Sequence, residues 1–253
     1  ARRLTDGPLR PNWPGLAADR TLYSHDVISP AVDGNDTAPA RALPEIESFA
    51  RIAALGIPVV RVERASNAAE AVARATEIGY PVVVKIDAIG LAHKSDVGAV
   101  RIGLADAAEV RAAAEEMLTL PLPDGTTRRG LLVAPQVAGR ELIIGARRDP
   151  SFGPVVLVGL GGILAEAIDD VAIRLAPVSP AEAETMLDEL RGRRLLGPLR
   201  GQPGIDRPAV VNAIVRLSTA MAEDPNLVEV DLNPVISSPN GTFAVDALVV
   251  VTP

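Results

Sequence analysis

The sequence contains no cysteine and few aromatic residues. The absence of cysteine rules out disulfides, thiolate nucleophiles and zinc–thiolate sites in these 253 residues. It also fits a cytoplasmic protein. Aromatic residues make up 2% of the chain, so the core must be built from Ala, Val, Leu and Ile. Stacking platforms for nucleic-acid bases are correspondingly scarce.

The sequence also lacks a positive net charge and a membrane-length apolar run. Lys and Arg total 25 against 32 Asp and Glu, which gives a net charge of −7. Such a chain gains no general counterion release on DNA or RNA. No apolar run approaches a membrane span, and the basic first residues lack the apolar region of a secretory signal. We therefore expect a globular cytoplasmic protein that binds neither nucleic acid nor membrane.

The first 42 residues differ from the rest of the chain. They are rich in proline and show no sustained hydrophobic period, which predicts a linker or N-terminal arm over 1–42. His25 lies in this arm without a recognisable partner, so we expect no chemistry from it. The first residue is not Met, and we expect a processed chain or a piece of a longer one. Residues 43–253 are predicted to form the folded domain.

Periodicity in the folded region predicts an α/β protein. Apolar faces, caps and glycine stops predict helices over 43–56, 67–79, 106–118, 179–190 and 207–223. Apolar runs predict strands over 57–62, 80–86, 98–104, 129–137, 140–148, 154–160, 227–236 and 242–251. We expect 129–137 and 140–148 to pair antiparallel with each other. The last two strands are predicted to form a hairpin closed by the turn at 238–241.

Two stretches suggest an anion site. Lys85 ends an apolar strand, where it either extends its ammonium to water or contacts a nucleotide phosphate, and the residues alone favour neither. Gly161 and Gly162, in "GLGG", follow another strand and would allow a phosphate to approach the backbone, although a plain tight turn is the commoner explanation. Glu166 lies just beyond, where a carboxylate would help to hold a metal or orient a ligand.

A third stretch suggests a magnesium site. Asp231 and Asn233 lie two apart on a predicted strand, so both should point to one face. Asp246 lies centrally in the next predicted strand, where an acid among apolar residues needs a partner. Together these oxygens suit Mg²⁺. The alternative is a buried Asp–Asn hydrogen bond or an Asp–Arg pair.

Four stretches occur in an order that resembles a known family. They are residues 79–104, 148–179, 193–206 and the pair 230–236 and 243–247. Together they resemble the ATP-grasp domain of NDP-forming acyl-CoA synthetases, and the β subunit of ADP-forming acetyl-CoA synthetase above all. Succinyl-CoA synthetase β subunits are more distant relatives. The resemblance covers about residues 43–252 and implies an ATP-grasp fold, in which two α/β lobes hold the nucleotide, the smaller one at roughly 61–128.

The resemblance also implies roles for residues. His93 follows Lys85 in the loop "AHKSDVG", where a histidine taken alone is expected to be solvated. The family pattern instead implies that His93 and Lys85 are catalytic residues, with His93 receiving or orienting the phosphoryl group. The implied nucleotide-binding residues are Lys85, Lys94, Glu141, Gly161, Gly162, Glu166 and Arg174. The implied Mg²⁺ ligands are Asn233 and Asp246, with Asp231 a weaker candidate.

The implied reaction is acyl-CoA + ADP + phosphate ⇌ carboxylic acid + CoA + ATP. Its phosphoryl group passes from an acyl phosphate to a histidine of a CoA-binding partner, which is an α subunit or a fused domain, and then to ADP. No CoA-binding domain is present in these residues, and His25 cannot take the place of the partner histidine. We therefore expect the chain to need that partner.

Two departures from the family pattern concern the expected adenine hinge and the loop that follows Lys85. Residues 133–136 read "VAPQ" where the family commonly has "VQPM" or "VQEM", at the expected adenine hinge, and Ala99 replaces a glycine.

One alternative function is a non-catalytic regulatory module of a fused protein acetyltransferase. Another is a carboxylate–amine ligase. The joint presence of Lys85, His93, Asn233 and Asp246 favours the synthetase component.

Overall fold

The computed structural model describes residues 40–91, 97–162 and 170–253. Residues 36–253 form one compact unit. Most of the predicted arm, including His25, lies outside the described residues. At its end, Arg41 and Ala42 already belong to a strand, so the ordered sheet begins slightly before the predicted boundary.

The order of elements confirms an α/β protein. The helices are α1 (Glu45–Ala54), α2 (Ala68–Ile78), α3 (Ala107–Thr119), α4 (Pro180–Glu189) and α5 (Arg207–Glu223), with a 3₁₀ turn at Arg193–Leu196. The strands are β1 (Arg41–Ala42), β2 (Glu63–Ala65), β3 (Val82–Ile89), β4 (Val100–Leu104), β5 (Thr127–Pro135), β6 (Arg140–Asp149), β7 (Gly153–Leu160), β8 (Val171–Leu175), β9 (Leu227–Ser238), β10 (Gly241–Ala244) and β11 (Leu248–Val251).

The smaller sheet has four antiparallel strands in the order β2-β5-β3-β4. Helices α2 and α3 cover one of its faces. Both helices begin where the sequence predicts, because Asn67 and Asp106 accept hydrogen bonds from backbone N–H groups of the first turn. The apolar cluster between sheet and helices is aliphatic.

The larger sheet has seven strands. Its order is β1-β11-β9-β6-β7-β8, and β10 also pairs with β9. Helices α4 and α5 pack on one face, and α1 contacts β11 at the edge. The main apolar cluster of this lobe is also mostly aliphatic. Among its buried residues that the structure describes, Phe49 is the one aromatic side chain. The expected aliphatic core is observed in both lobes.

The strand predicted at 57–62 and the pairing predicted between 129–137 and 140–148 are both wrong. Residues 57–62 form no strand, although Val59 forms an isolated bridge with Ala244 and adjacent backbone groups are hydrogen-bonded to Ala244. They connect α1 of the larger lobe to β2 of the smaller sheet. Strands β5 and β6 do not pair with each other. Instead β5 pairs with β2 and β3, whereas β6 pairs with β7 and β9.

This pairing also moves the boundary of the smaller lobe. The sequence places the end of that lobe at about residue 128. Strand β5 continues within the smaller sheet to Pro135. The short connection between β5 and β6 therefore links two sheets and is not the turn of a hairpin.

Among the described helices, none is long and apolar enough to cross a membrane.

The packing of the smaller sheet yields a test of its core. Ile86 on β3 is fully buried in the cluster beneath α2 and α3, whereas Ile102 on the neighbouring strand β4 is 71% exposed. We expect Ile86→Ala to lower the free energy of unfolding by about 2–5 kcal/mol, because it removes buried methyl groups and leaves a cavity. Ile102→Ala is the matched control and should change it by less than about 0.5 kcal/mol. Urea unfolding measures both, and equal effects would contradict this packing.

Candidate functional site

Lys85 lies on the face of the smaller sheet opposite to its helices. Val84 and Ile86, its neighbours on β3, are buried against α2 and α3, so alternation turns Lys85 the other way. That direction leads to the larger lobe. The Lys85 ammonium donates to Oε1 of Glu45 on α1 at 2.9 Å and to the carbonyl oxygen of Val245 at 2.7 Å. Oδ2 of Asp246 lies 3.1 Å away.

The Lys85 ammonium contacts protein groups inside the structure. Its side chain is buried, so the ammonium does not extend into water. Burial acts to lower the pKa of Lys85, but the charges of Asp246 and Glu45 and the hydrogen bonds to them outweigh burial and raise it to about 12. Lys85 is therefore a fully charged ammonium at neutral pH, at the contact between the two lobes.

Asp231 and Asn233 share a face of β9, as their spacing predicts. The residues between and beside them, Val230 and Leu232, are buried in the core beneath α5. The polar pair therefore points away from the helices of the larger lobe. Pro234 lies within β9 at the irregularity where the pairing of β9 with β6 shifts register, which is a position where a strand tolerates proline.

Asp246 lies outside the strand in which the sequence placed it. The predicted strand 242–251 is divided into β10 and β11, and Asp246 occupies the bend between them. On either side of the bend, Ala244 pairs with Val235 and Leu248 pairs with Asp231. This register brings Asp246 opposite Asn233 on β9. Of the two predicted metal ligands, Asp246 lies beside the ammonium of Lys85, and Asn233 lies opposite Asp246 in the strand register.

The oxygen ligands of Asn233 and Asp246 suit a metal ion that is bound together with a nucleotide. Among the described residues, no three His, Cys, Asp or Glu side chains converge on one point. Asn233 and Asp246 would supply two hard oxygen ligands, with Asp231 nearby on the strand. Mg²⁺ is commonly held by one or two such side chains, while phosphates and water fill its other positions. The residues present therefore fit a nucleotide-bound Mg²⁺.

Glu141 and the two glycines of "GLGG" also come together. Glu141 is the second residue of β6 and lies on the same face as Gly145, which pairs with Asp231. The backbone N–H of Gly161 donates to the carbonyl oxygen of Glu141 at 2.9 Å. Gly162 has φ +86°, in the left-handed region, and a Cβ there would lie 3.2 Å from Oε2 of Glu141. The two glycines thus allow the chain to pass directly over this glutamate.

Arg174 is not brought to the site. It pairs with Val156, whose side chain is buried against the helices, so Arg174 points to the helix side of the larger sheet. There it forms an ion pair with Glu189 of α4 at 2.6 Å. The register of β8 turns it away from Asp231 and Asn233. The interpretation of Arg174 as a phosphate contact has no support in this geometry.

Three of the predicted residues lie outside the described ranges. They are His93, Lys94 and Glu166. Their roles stay predictions.

Two buried charged groups escaped the sequence analysis, Glu45 at the contact between the lobes and Asp87 on the smaller sheet. Glu45 is buried, and it lies four residues before Phe49 and seven before Ile52 on the buried face of α1. That helical spacing was the available signal. Asp87, two residues after Lys85 on the same face of β3, is buried and accepts from Arg64 at 2.9 Å. Arg129 lies 3.4 Å from the same carboxylate.

Comparison with known proteins identifies the family. A family model described as an ATP-grasp domain matches residues 36–251. The chain is 35% identical over 232 residues to the subunit beta of an ADP-forming acetate–CoA ligase I from Pyrococcus furiosus, which covers 90% of this chain and 98% of that subunit. This chain belongs to the ATP-grasp domains of ADP-forming acyl-CoA synthetases. The resemblance seen in the sequence is therefore confirmed.

Relatives of this ATP-grasp domain occur both as separate subunits and within longer chains. It is 38% identical over 191 residues to the ADP-forming 4-hydroxybutyrate–CoA ligase of Nitrosopumilus maritimus. That match covers 74% of this domain but only 27% of the relative. The chain thus spans the whole of one relative and about a quarter of another.

Solved structures confirm the ATP-grasp fold. Acetyl-coenzyme A synthetase 1 of Ca. Korarchaeum cryptofilum, in complex with coenzyme A, Ca-AMPCP and HgCl⁺, matches with a TM-score of 0.78 and 40% identity. The match covers 83% of this chain and 93% of that chain. Another structure of that synthetase contains Mg-AMPPCP, with a phosphohistidine segment pointing towards the nucleotide-binding site (TM-score 0.70, 40% identity, covering 83% and 92%).

The ion pairs of Lys85 predict a pH dependence of stability. Because its folded pKa of about 12 exceeds the unfolded value of about 10.5, the stabilisation is complete below pH 10.5 and is lost as the pH rises through 12. The gap between these two pKa values corresponds to about 2 kcal/mol. We expect the difference in unfolding free energy between the native chain and Lys85→Met to narrow by up to about 2 kcal/mol between pH 8 and pH 12. A constant difference in urea unfolding would contradict these ion pairs.

The close approach at Gly161 predicts a second effect on stability. A Cβ at this position would lie 2.9 Å from Cβ of Glu141 and 3.1 Å from the backbone nitrogen of Leu142. We expect Gly161→Ala to lower the free energy of unfolding by about 1–3 kcal/mol. Gly197→Ala is the control, since its Cβ would lie 3.8 Å from the nearest heavy atom and its φ is −89°. If both variants unfold at the urea midpoint of the native chain, the close approach is wrong.

Proposed function

We propose that this ATP-grasp domain binds ADP or ATP with Mg²⁺ between its two sheets and transfers the terminal phosphoryl group. The reaction is acyl-CoA + ADP + phosphate ⇌ carboxylic acid + CoA + ATP, completed with a CoA-binding α chain or fused domain. The observation that carries the proposal is the contact of Lys85 from the smaller sheet with Asp246 of the larger lobe, which lies opposite Asn233 in the strand register. An ammonium and hard oxygen ligands at one point suit a nucleotide polyphosphate.

Each residue at the junction would act through charge or position. Lys85 would neutralise negative charge on the transferring phosphoryl group, and Asn233 and Asp246 would hold the metal. When bound, Mg²⁺ would supply positive charge that offsets the negative charge developing during transfer. Glu141, beneath Gly161 and Gly162, lines the same face of the larger sheet and would contact the nucleotide.

The remaining predicted residues complete the proposal. His93 would receive or orient the phosphoryl group that the partner brings, and Lys94 and Glu166 would help to hold the nucleotide. A synthetase relative with a phosphohistidine segment directed at its nucleotide site supports such a delivery. The relatives named above are ligases or synthetases, which supports an enzyme component over a regulatory module of an acetyltransferase.

The experiment that tests this proposal measures nucleotide binding and turnover separately. Calorimetric titration of the chain alone with ADP should give binding that requires Mg²⁺. The chain mixed with a CoA-binding chain encoded beside it, phosphate, Mg-ADP and a panel of acyl-CoAs should form ATP, and neither chain alone should do so.

Asn233 supplies the matching variant. Asn233→Ala should weaken Mg-dependent ADP binding by at least about tenfold, since even outer-shell changes at metal sites cost 10- to 100-fold. Asn240→Ala, in the exposed turn between β9 and β10, is the control and should bind like the native chain. If the native chain shows no Mg-dependent binding of ADP or ATP and the mixture stays inert, the proposed function is wrong.

A further inference from the structure

The hydrogen-bonding capacity of Lys85 is fully used within the chain. An ammonium has three N–H donors. Glu45, Asp246 and the carbonyl of Val245 provide three acceptors at 2.7–3.1 Å. A phosphate oxygen can therefore bind this ammonium only after one of these acceptors has moved away.

The three acceptors differ in how easily they can leave. The side chain of Asp246 is 29% exposed, whereas that of Glu45 is 4% exposed. The third acceptor is backbone. Asp246 also lies in a bend between strands, while Glu45 is held in the first turn of a buried helix face. Asp246 is thus the acceptor that a ligand can reach and displace.

Displacement of Asp246 would leave a buried cation that still needs a counter-charge. Removing one partner from a buried ion pair leaves an uncompensated charge, which is strongly destabilising. Glu45 keeps its carboxylate within 2.9 Å of the ammonium and out of reach of solvent. The N-terminal turn of α1 also favours a carboxylate at this position.

We propose that Glu45 is a positioning residue of the nucleotide site. It holds the Lys85 ammonium in place when the Asp246 carboxylate turns away from Lys85, and a nucleotide phosphate then accepts the N–H group of Lys85 that Asp246 has left. This role rests on the proposed function and adds to it a residue that need not contact either ligand.

Glu45→Gln tests the role with little change of shape. The variant retains an oxygen acceptor for Lys85 and removes the charge. We expect the dissociation constant for Mg-ADP, measured by calorimetry, to rise about tenfold, the change for one lost charged hydrogen bond of about 1.4 kcal/mol. Glu47→Gln is the matched control, because it removes an exposed acid from the same turn of α1. It should bind Mg-ADP like the native chain.

A double-mutant cycle distinguishes positioning from general support of the fold. If Glu45 acts through Lys85, Glu45→Gln should change the dissociation constant less than about twofold in a Lys85→Gln background. The same tenfold change in both backgrounds, or native affinity for Glu45→Gln itself, would overturn the proposal. Native affinity of Glu45→Gln beside weakened Lys85→Gln would leave the proposed function intact, so the two failures are distinguishable.

A ligand-free measurement keeps the inference testable if a variant is unstable or ADP does not bind. The chain has two lysines, Lys85 and Lys94, so amine acetylation can be followed at each by mass spectrometry. Loss of the Glu45 charge should loosen the hold on the Lys85 ammonium and so speed acetylation of Lys85 several-fold, with the α-amino group as reference. The rate should be unchanged in Glu47→Gln. An unchanged rate in folded Glu45→Gln would show that Glu45 does not hold Lys85 and would overturn the inference.

Discussion

The ammonium of Lys85 lies in the interior and meets carboxylates from two distant parts of the chain, Glu45 and Asp246. A buried cation cannot be left without a counter-charge, so β3 of the smaller sheet, helix α1 and the β10–β11 bend must meet at this point. The rest of the arrangement depends on that meeting. It joins the two lobes, keeps Lys85 charged and places a metal ligand beside it.

The same junction explains the irregular backbone around it. The connection at 57–62 passes from the larger lobe to the smaller sheet and binds the backbone of Ala244, at the end of β10. Asp246 follows two residues later, in the bend before β11. A continuous strand over 242–251 would have paired along its whole length with β9. The division into two strands instead frees Asp246 to turn toward Lys85.

Helix positions and most strand positions were predictable because they depend on nearby residues. Asn67, Asp106 and the apolar periods act within a few residues of where they stand, and the structure has the helices and caps where these signals place them. Strand pairing was harder to predict from the sequence. The patterns of β5 and β6 are both apolar and adjacent in sequence, which is also what a hairpin shows, yet the strands belong to different sheets.

The sequence by itself determined the α/β class, the aliphatic core, the shared face of Asp231 and Asn233 and the family. These follow from composition, from the two-residue period of a strand and from long sequence stretches that occur in the same order as in the family. Only the tertiary structure decided that Arg174 turns to the helix side, that Asp246 sits in a bend opposite Asn233, and that Glu45 binds Lys85. The reason is physical: each of these depends on sheet register or on contacts between residues far apart in the chain, 160 positions in the case of Lys85 and Val245, and no local pattern encodes such contacts.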